Sequence, residues 1–245
     1  MSVTWRVLDT PSDVAQAAAE AFVTAAGAAT ADGGRFHAAL PGGRTPLPSF
    51  ALLAEPPLRD RVAWDRVELF WADERAVGPD DPQSNYRAAR DAWLAHVPEL
   101  DETHVHRMMA DTADLAVGAD HYESVLRREV PANADGIPVF DLIWLGMGAD
   151  GHTASLCPNE VSLAVTDRLV VPTWPAGYPT SRLTLTYPVL NAAREVVFAV
   201  TGADKAATVA AIRSGADLPA GRVRAARTTW LLDAAAAGEA AGSPA

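Results

Sequence analysis

The sequence predicts an α/β fold: one domain built on a mostly parallel sheet with helices on both faces. Three observations predict it. Short apolar runs recur along the chain, nearly unbroken by polar residues, as in strands buried on both sides. Helical stretches alternate with these runs for most of the length. With 245 residues, 49% of them hydrophobic, the chain has enough apolar surface for a sizeable core.

Taken in order, Trp5–Leu8 reads as the first strand. Pro11-Ser12-Asp13 then opens a helix with Val14, Ala18, Ala21, Phe22 and Ala25 on one face. Phe36–Leu40 is a second apolar run, followed by Pro41-Gly42-Gly43-Arg44-Thr45 and a helical stretch to Leu53. Val67–Trp71 is a third run, ending in the loop residues Ala72-Asp73-Glu74-Arg75. A polar loop leads to Asn85 and a helix to about Leu94, and Thr112–Arg128 is a further helix. The stretch from Val77 to Val139 is poor in strand-like runs and is the place expected for a smaller lid region. Phe140–Leu145 is a strand that breaks at a glycine loop. Further strands lie near Leu169–Val171, Leu183–Thr186 and Val196–Val200, then a helix over Lys205–Ile212 and a last strand over Thr229–Leu232. The residues after Gly238 read as a frayed tail of the single domain.

Composition excludes several functions. A net charge of -11 argues against nucleic acid and against an anionic membrane surface. No apolar run reaches the roughly 18–20 residues of a membrane span, and the N-terminus has no basic flank ahead of an apolar segment. The single cysteine, Cys157, excludes an internal disulfide and multi-cysteine zinc sites, in keeping with a cytoplasmic protein. Lys205 is the one lysine among 20 basic residues.

In parallel α/β sheets, ligands bind beyond the carboxyl ends of the strands. The loops after Leu40, Trp71, Leu145 and Val200 should therefore converge. In the first, Gly42 and Gly43 allow a tight turn with exposed N–H groups at a helix start, while Arg44 adds a charge and Thr45 a hydroxyl. That suits a phosphate, or is an ordinary turn. In the second, Asp73, Glu74 and Arg75 are three ionisable residues at a strand end, forming a site or a solvated salt-bridged turn.

The third, Gly146-Met147-Gly148-Ala149-Asp150-Gly151-His152, matches the dinucleotide fingerprint in letters only. Pro158 leaves no room for a crossover helix, and Asp167 precedes a strand where the fingerprint needs it to end one. What remains is a glycine loop presenting Asp150 beside His152, the composition of an oriented general base or of a structural histidine. A Cys157–His152 dyad is disfavoured, because five residues on a helix rotate side chains by about 140°. His37, His96, His104, His106 and His121 show no metal-ligand spacing, and nothing near the His104/His106 pair completes a site. Lys205, at a helix start where the dipole disfavours it, suits an anion; Arg182 is a weaker candidate of the same kind.

Together these segments resemble the 6-phosphogluconolactonase family. The resemblance rests on the glycine-Arg-Thr-Pro loop, on FWADERAVGPDDPQSNYRAAR (70–90), on DLIWLGMGADGHTASLCP (141–158) and on SRLTLTYPVLNAAREVVFAVTGADKAATV (181–209). It runs from about Gly42 to Leu232 in the same order. It implies a Rossmann-like sheet with a smaller lid and hydrolysis of 6-phospho-D-glucono-1,5-lactone to 6-phospho-D-gluconate in the oxidative pentose phosphate pathway, without a cofactor or metal. His152 would deprotonate water, Asp150 would hold the imidazole, and Arg75 or loop N–H groups would meet the oxyanion, with Asp73 and Glu74 alongside. Gly42, Gly43, Arg44, Thr45, Arg182 and Lys205 would hold the phosphate.

Two rivals share the fold. One is a glucosamine-6-phosphate deaminase or isomerase. That family carries a glutamate five residues after the loop histidine, where this chain has Cys157, and Asp-Glu-Tyr where this chain has Asp73-Glu74-Arg75. The other is a sugar-phosphate sensor fused to a DNA-reading module, for which no basic helix-turn-helix is present.

Overall fold

The central strands form where the chain is almost wholly apolar. β2 (Phe36–Leu40), β3 (Val67–Trp71) and β5 (Leu142–Leu145) are buried at every residue. With β1 (Ser2–Leu8), β8 (Glu195–Val200) and β9 (Arg227–Asp233) they make a six-stranded sheet in the order β1-β9-β8-β5-β2-β3. Every neighbouring pair is parallel, so both faces must be covered by helices. The computed structural model describes residues 1–239.

α1 (Pro11–Thr30) shows how the cover is specified. Thr10 accepts the Asp13 N–H at 3.2 Å, and the Asp13 carboxylate accepts the Thr10 N–H at 3.0 Å. This reciprocal cap, with proline at the first helical position, fixes the start. The helix buries Val14, Ala15, Ala18, Ala19, Phe22, Val23 and Ala26. Ala21 and Ala25, expected on that face, sit half-buried at its margin. Phe22 meets Phe36 and Trp93 edge-on, with centroids at 5.0 and 5.3 Å. Removing such a ring from a packed core costs about 3–5 kcal/mol, so Phe22 is one anchor of α1 on the core.

The structure corrects the expected path after β3. Asp73–Arg75 is not a loop but a short strand, β4, in a second sheet. It pairs antiparallel with β7 (Arg182–Leu185), which pairs antiparallel with β6 (Val170–Thr173). Ala72 joins the two sheets: its N–H donates to the Leu40 carbonyl at 2.9 Å, and its own carbonyl accepts the Leu185 N–H at 2.8 Å.

The smaller region is therefore this antiparallel sheet and not the stretch 77–139. That stretch contributes α3 (Asn85–Ala92) and α4 (Leu115–Glu129). α4 starts later than Thr112 because Asp114 caps it, accepting the Ala116 N–H at 2.8 Å. Its Glu123 accepts hydrogen bonds from Arg168, Leu169 and Val170 at the head of β6. One hydrophobic cluster includes side chains of both sheets.

The remaining helices are α2 (Leu47–Leu53), α5 (Tyr187–Ala192), α6 (Ala206–Arg213) and α7 (Ala234–Ala237). The sequence places a frayed tail after Gly238. Gly238 itself ends α7 in the left-handed conformation, φ +76°, and the Glu239 N–H donates to Ala234 at 2.9 Å. The rest of that expectation, 240–245, lies outside the described residues.

At the amino ends of the strands, His106 Nε2 meets Glu68 Oε2 at 2.8 Å, and Arg35 meets Glu68 at 2.7 Å and His104 at 2.9 Å. Burial alone would push the Glu68 carboxyl up, but the His106 bond and the Arg35 charge hold it below the usual range. The His104/His106 pair thus ties its segment to the sheet edge. At the carboxyl ends, β3 extends the sheet outward from β2 while β5 lies on the other side of β2. The order in which strands are added to the sheet reverses there, leaving a crevice between the loops that leave β2 and β5.

Candidate active site

The loop after β5 turns on itself to present one side chain. The Gly148 N–H donates to the His152 carbonyl at 2.9 Å, and the Gly151 N–H to the Gly148 carbonyl at 3.0 Å. Gly151 has φ +84°, which a residue with a Cβ rarely adopts. A Cβ on Gly148 would stand 2.2 Å from ring atoms of His152 and 2.5 Å from Asp150 Oδ1. The absent side chain is the space the imidazole occupies.

Asp150 Oδ1 accepts the His152 backbone N–H at 3.1 Å and lies 2.6 Å from Nδ1. Partial burial pushes the Asp150 carboxyl up, yet the His152 N–H and the imidazole hold it below its ordinary value. An ionised Asp150 calls for a proton on Nδ1 and leaves the Nε2 lone pair free. That is the arrangement of a general base.

β4 alternates its side chains, and the alternation separates the three charged residues. Asp73 lines the cleft. Its Oδ2 accepts from Ser155 Oγ at 2.6 Å, and Asn85 Nδ2 donates to its Oδ1 at 3.3 Å. Glu74 faces the other way. Its carboxylate accepts from the backbone N–H groups of Arg75, Asn85 and Tyr86, each at 2.8 Å, and from Ser84 Oγ at 3.0 Å. Burial raises its affinity for a proton, and the three backbone donors oppose that. Glu74 therefore anchors the start of α3, outside the cleft, where a negative charge suits the helix dipole.

Arg75 lines the cleft and donates to the Gln83 carbonyl at 2.6 Å. Directly across the ladder from it lies Arg182. Arg182 is 6% exposed, donates to Ser155 Oγ at 3.2 Å and lies over the Tyr178 ring at 4.4 Å. The Nε atoms of both arginines are buried without a hydrogen-bond partner. Like charges directly opposite on a ladder repel, so an anion between them would relieve both the repulsion and the missing partners.

The loop after β2 closes the cleft from the other side. Gly42 packs so tightly on Asn85 that a Cβ would fall 2.2 Å from its side chain, and Gly43 has φ +88°. Gly42, Gly43, Thr45 and Lys205 line the cleft with His152, Asp73, Arg75 and Arg182. Lys205, at the N-cap of α6, pairs with Asp204 at 2.9 Å. Arg44 is exposed and is not among the lining residues.

Residues 9–231 match the model of the glucosamine-6-phosphate isomerases and 6-phosphogluconolactonases. The chain belongs to this family. A 6-phosphogluconolactonase of Synechocystis sp. is 45% identical over 177 residues, 72% of this chain and 71% of the relative. One of Streptomyces coelicolor is 39% identical over 236 residues, 92% and 90% of the two chains. The solved structure of the 6-phosphogluconolactonase from Trypanosoma brucei is 27% identical, with a TM-score of 0.86 over 97% of this chain and 98% of that one.

Seen as a member of this family, the chain brings together nine of the eleven expected residues, with Asp150 reached through its bond to His152. Glu74 and Arg44 stand apart from the cleft. Ser155, Asn85 and Tyr178 had no assigned role. Ser155 and Asn85 sit inside the two segments that carry the family resemblance, and their uncharged side chains gave no further signal. Cys157 does not line the cleft, and burial above all, with the Asp150 charge, pushes its thiol up to about 11. The thiol is thus held protonated, which weighs against the Cys157–His152 dyad. Among the described residues, no group of three or more His, Cys, Asp or Glu side chains is placed to hold a metal ion.

Proposed function

We propose that the chain hydrolyses 6-phospho-D-glucono-1,5-lactone to 6-phospho-D-gluconate, the step of the oxidative pentose phosphate pathway carried by its named relatives, with His152 as the base. The observation that carries the mechanism is the 2.6 Å contact of Asp150 with Nδ1, which leaves Nε2 free beside a cleft lined by cations. Nε2 takes a proton from water as the water oxygen attacks the lactone carbonyl carbon. The resulting oxyanion meets Arg75 or main-chain N–H groups, a kind of stabilisation worth about 3–4 kcal/mol. On collapse the bond from the carbonyl carbon to the ring oxygen breaks, and the ring oxygen takes the proton back from the imidazolium. The products are the carboxylic acid, which ionises, and a free hydroxyl. Lys205, Arg182, Thr45 and the Gly42-Gly43 turn hold the phosphate.

A deaminase needs a second acid–base group to move a proton between carbons. The position five residues past His152 is the neutral Cys157, and Glu160 lies outside the cleft, its carboxylate meeting the Ala176 N–H at 3.4 Å. Freshly prepared lactone is therefore expected to open well above its spontaneous rate in a coupled dehydrogenase assay. Glucosamine 6-phosphate is expected to release no ammonia. Ammonia at a turnover comparable to the lactone rate would overturn the assignment.

The phosphate site gives a graded expectation. Lys205→Ala loses a charge-assisted contact and should raise KM by about 10–100-fold, the equivalent of about 1.5–3 kcal/mol. Arg44→Ala, outside the cleft, should change KM by less than about threefold, the scale of an exposed charge. The unphosphorylated lactone should be nearly indifferent to both. Equal losses with both lactones would remove Lys205 from phosphate recognition.

A further inference from the structure

Tyr178 belongs to none of the segments that carry the family resemblance, yet it touches both halves of the cleft. Its loop leaves β6 and makes a tight turn: the Tyr178 N–H donates to the Pro175 carbonyl at 3.2 Å, with Gly177 at φ +83°. The Ala176 N–H is tethered to Glu160. The turn aims the phenol at His152. The hydroxyl lies 3.3 Å from Nδ1, and the two rings meet edge-on at 5.8 Å. The Arg182 guanidinium covers the phenol ring at 4.4 Å.

We propose that Tyr178 is a positioning residue that acts through two others, holding the His152 imidazole with its hydroxyl and the Arg182 guanidinium with its ring. The proposal rests on the lactonase reading for its kinetic part. With Nδ1 protonated for Asp150, the phenol oxygen is a second acceptor beside that N–H, so the ring is held from two directions. Burial, and the nearby Asp150 charge, keep the phenol protonated. A phenolate would add a second negative charge at Nδ1; the neutral phenol orients the ring without one. The aromatic face does separate work. It keeps Arg182 over the cleft, where the guanidinium also reaches Ser155 and, through it, Asp73.

Two substitutions separate these roles. Tyr178→Phe removes the oxygen and keeps the ring, so kcat should fall about 3–10-fold with KM unchanged, the cost of a looser imidazole. Tyr178→Leu removes both, so KM for the phosphorylated lactone should also rise about 5–20-fold as Arg182 loses its cation–π support. In a double-mutant cycle, Tyr178→Phe should cost less in an Asp150→Asn background, because both groups act on Nδ1. Independently of activity, the 15N resonance of His152 Nδ1, assigned by its loss in His152→Ala, should move in Tyr178→Phe. A Tyr178→Phe enzyme with wild-type kcat and an unmoved Nδ1 resonance overturns the proposal. So does a Tyr178→Leu enzyme with unchanged KM. Were the wild type inactive on lactone, the lactonase reading would fail, and the resonance alone would decide the contact at Nδ1.

Discussion

Replacing His152 with alanine is expected to lower lactone turnover by about 10²–10⁴-fold, the contribution of a positioned general base. The reason is specific to this loop. Asp150 Oδ1 lies 2.6 Å from Nδ1; with the proton there, as proposed, Nε2 is the lone pair that would accept a proton from water. Far-ultraviolet circular dichroism should be unchanged and the melting temperature nearly so. The side chain is 20% exposed, sits in a loop and supports no core contact of the kind that anchors α1. KM should change little, because the proposed phosphate contacts are with Lys205, Arg182 and the glycine turn. Stopped-flow measurement with fresh lactone, corrected for spontaneous opening, reads the effect. Near-normal turnover would take His152 out of the mechanism.

Gly148→Ala should be about as damaging at the lower end of that range, although it removes no functional group. Its φ lies outside the left-handed region that favours glycine, so the fold should persist. The new methyl would stand 2.2 Å from the imidazole and 2.5 Å from Asp150 Oδ1. Both are side-chain atoms able to move, so relief comes from displacing the imidazole and its carboxylate together. A displacement of about 1 Å costs about 10²-fold in rate. The signature is a large fall in kcat with a melting temperature close to wild type. A Gly148→Ala enzyme at full activity would show that the imidazole works from a different position.

Much of the fold and site was legible in the residues. Phe36–Leu40 and Val67–Trp71 are apolar apart from His37 and Glu68, and their strand boundaries emerge to the residue. The glycine loops mark the strand ends because backbone there needs positive φ or close approach, as at Gly43, Gly148 and Gly151. β4 was not legible. Three charged residues in a row carry no strand signal, and their pairing partner lies more than a hundred residues on, at Arg182–Leu185. The same distance hides the Ser155–Asp73 bond, which spans 82 positions. Glu74 looks like a site residue by composition, and only its four donors show it to be an anchor. Tyr178 sits in a loop without periodicity, so nothing local points it at His152.

The junction at Ala72 has a consequence for how this protein can vary. One residue separates the parallel strand β3 from the antiparallel strand β4, and it is hydrogen-bonded to a strand in each sheet. That double tie fixes a parity: odd positions, Asp73 and Arg75, look into the crevice, and the even one, Glu74, looks away. Inserting or deleting a single residue here would exchange those faces wholesale, turning Glu74 into the crevice and Asp73 and Arg75 away from it. A substitution at one of these positions alters one side chain; a change of length is a change of frame. The chain from Val67 to Arg75 is thus constrained in count as tightly as in chemistry, and homologous exchanges or loop grafts into this protein should cut elsewhere.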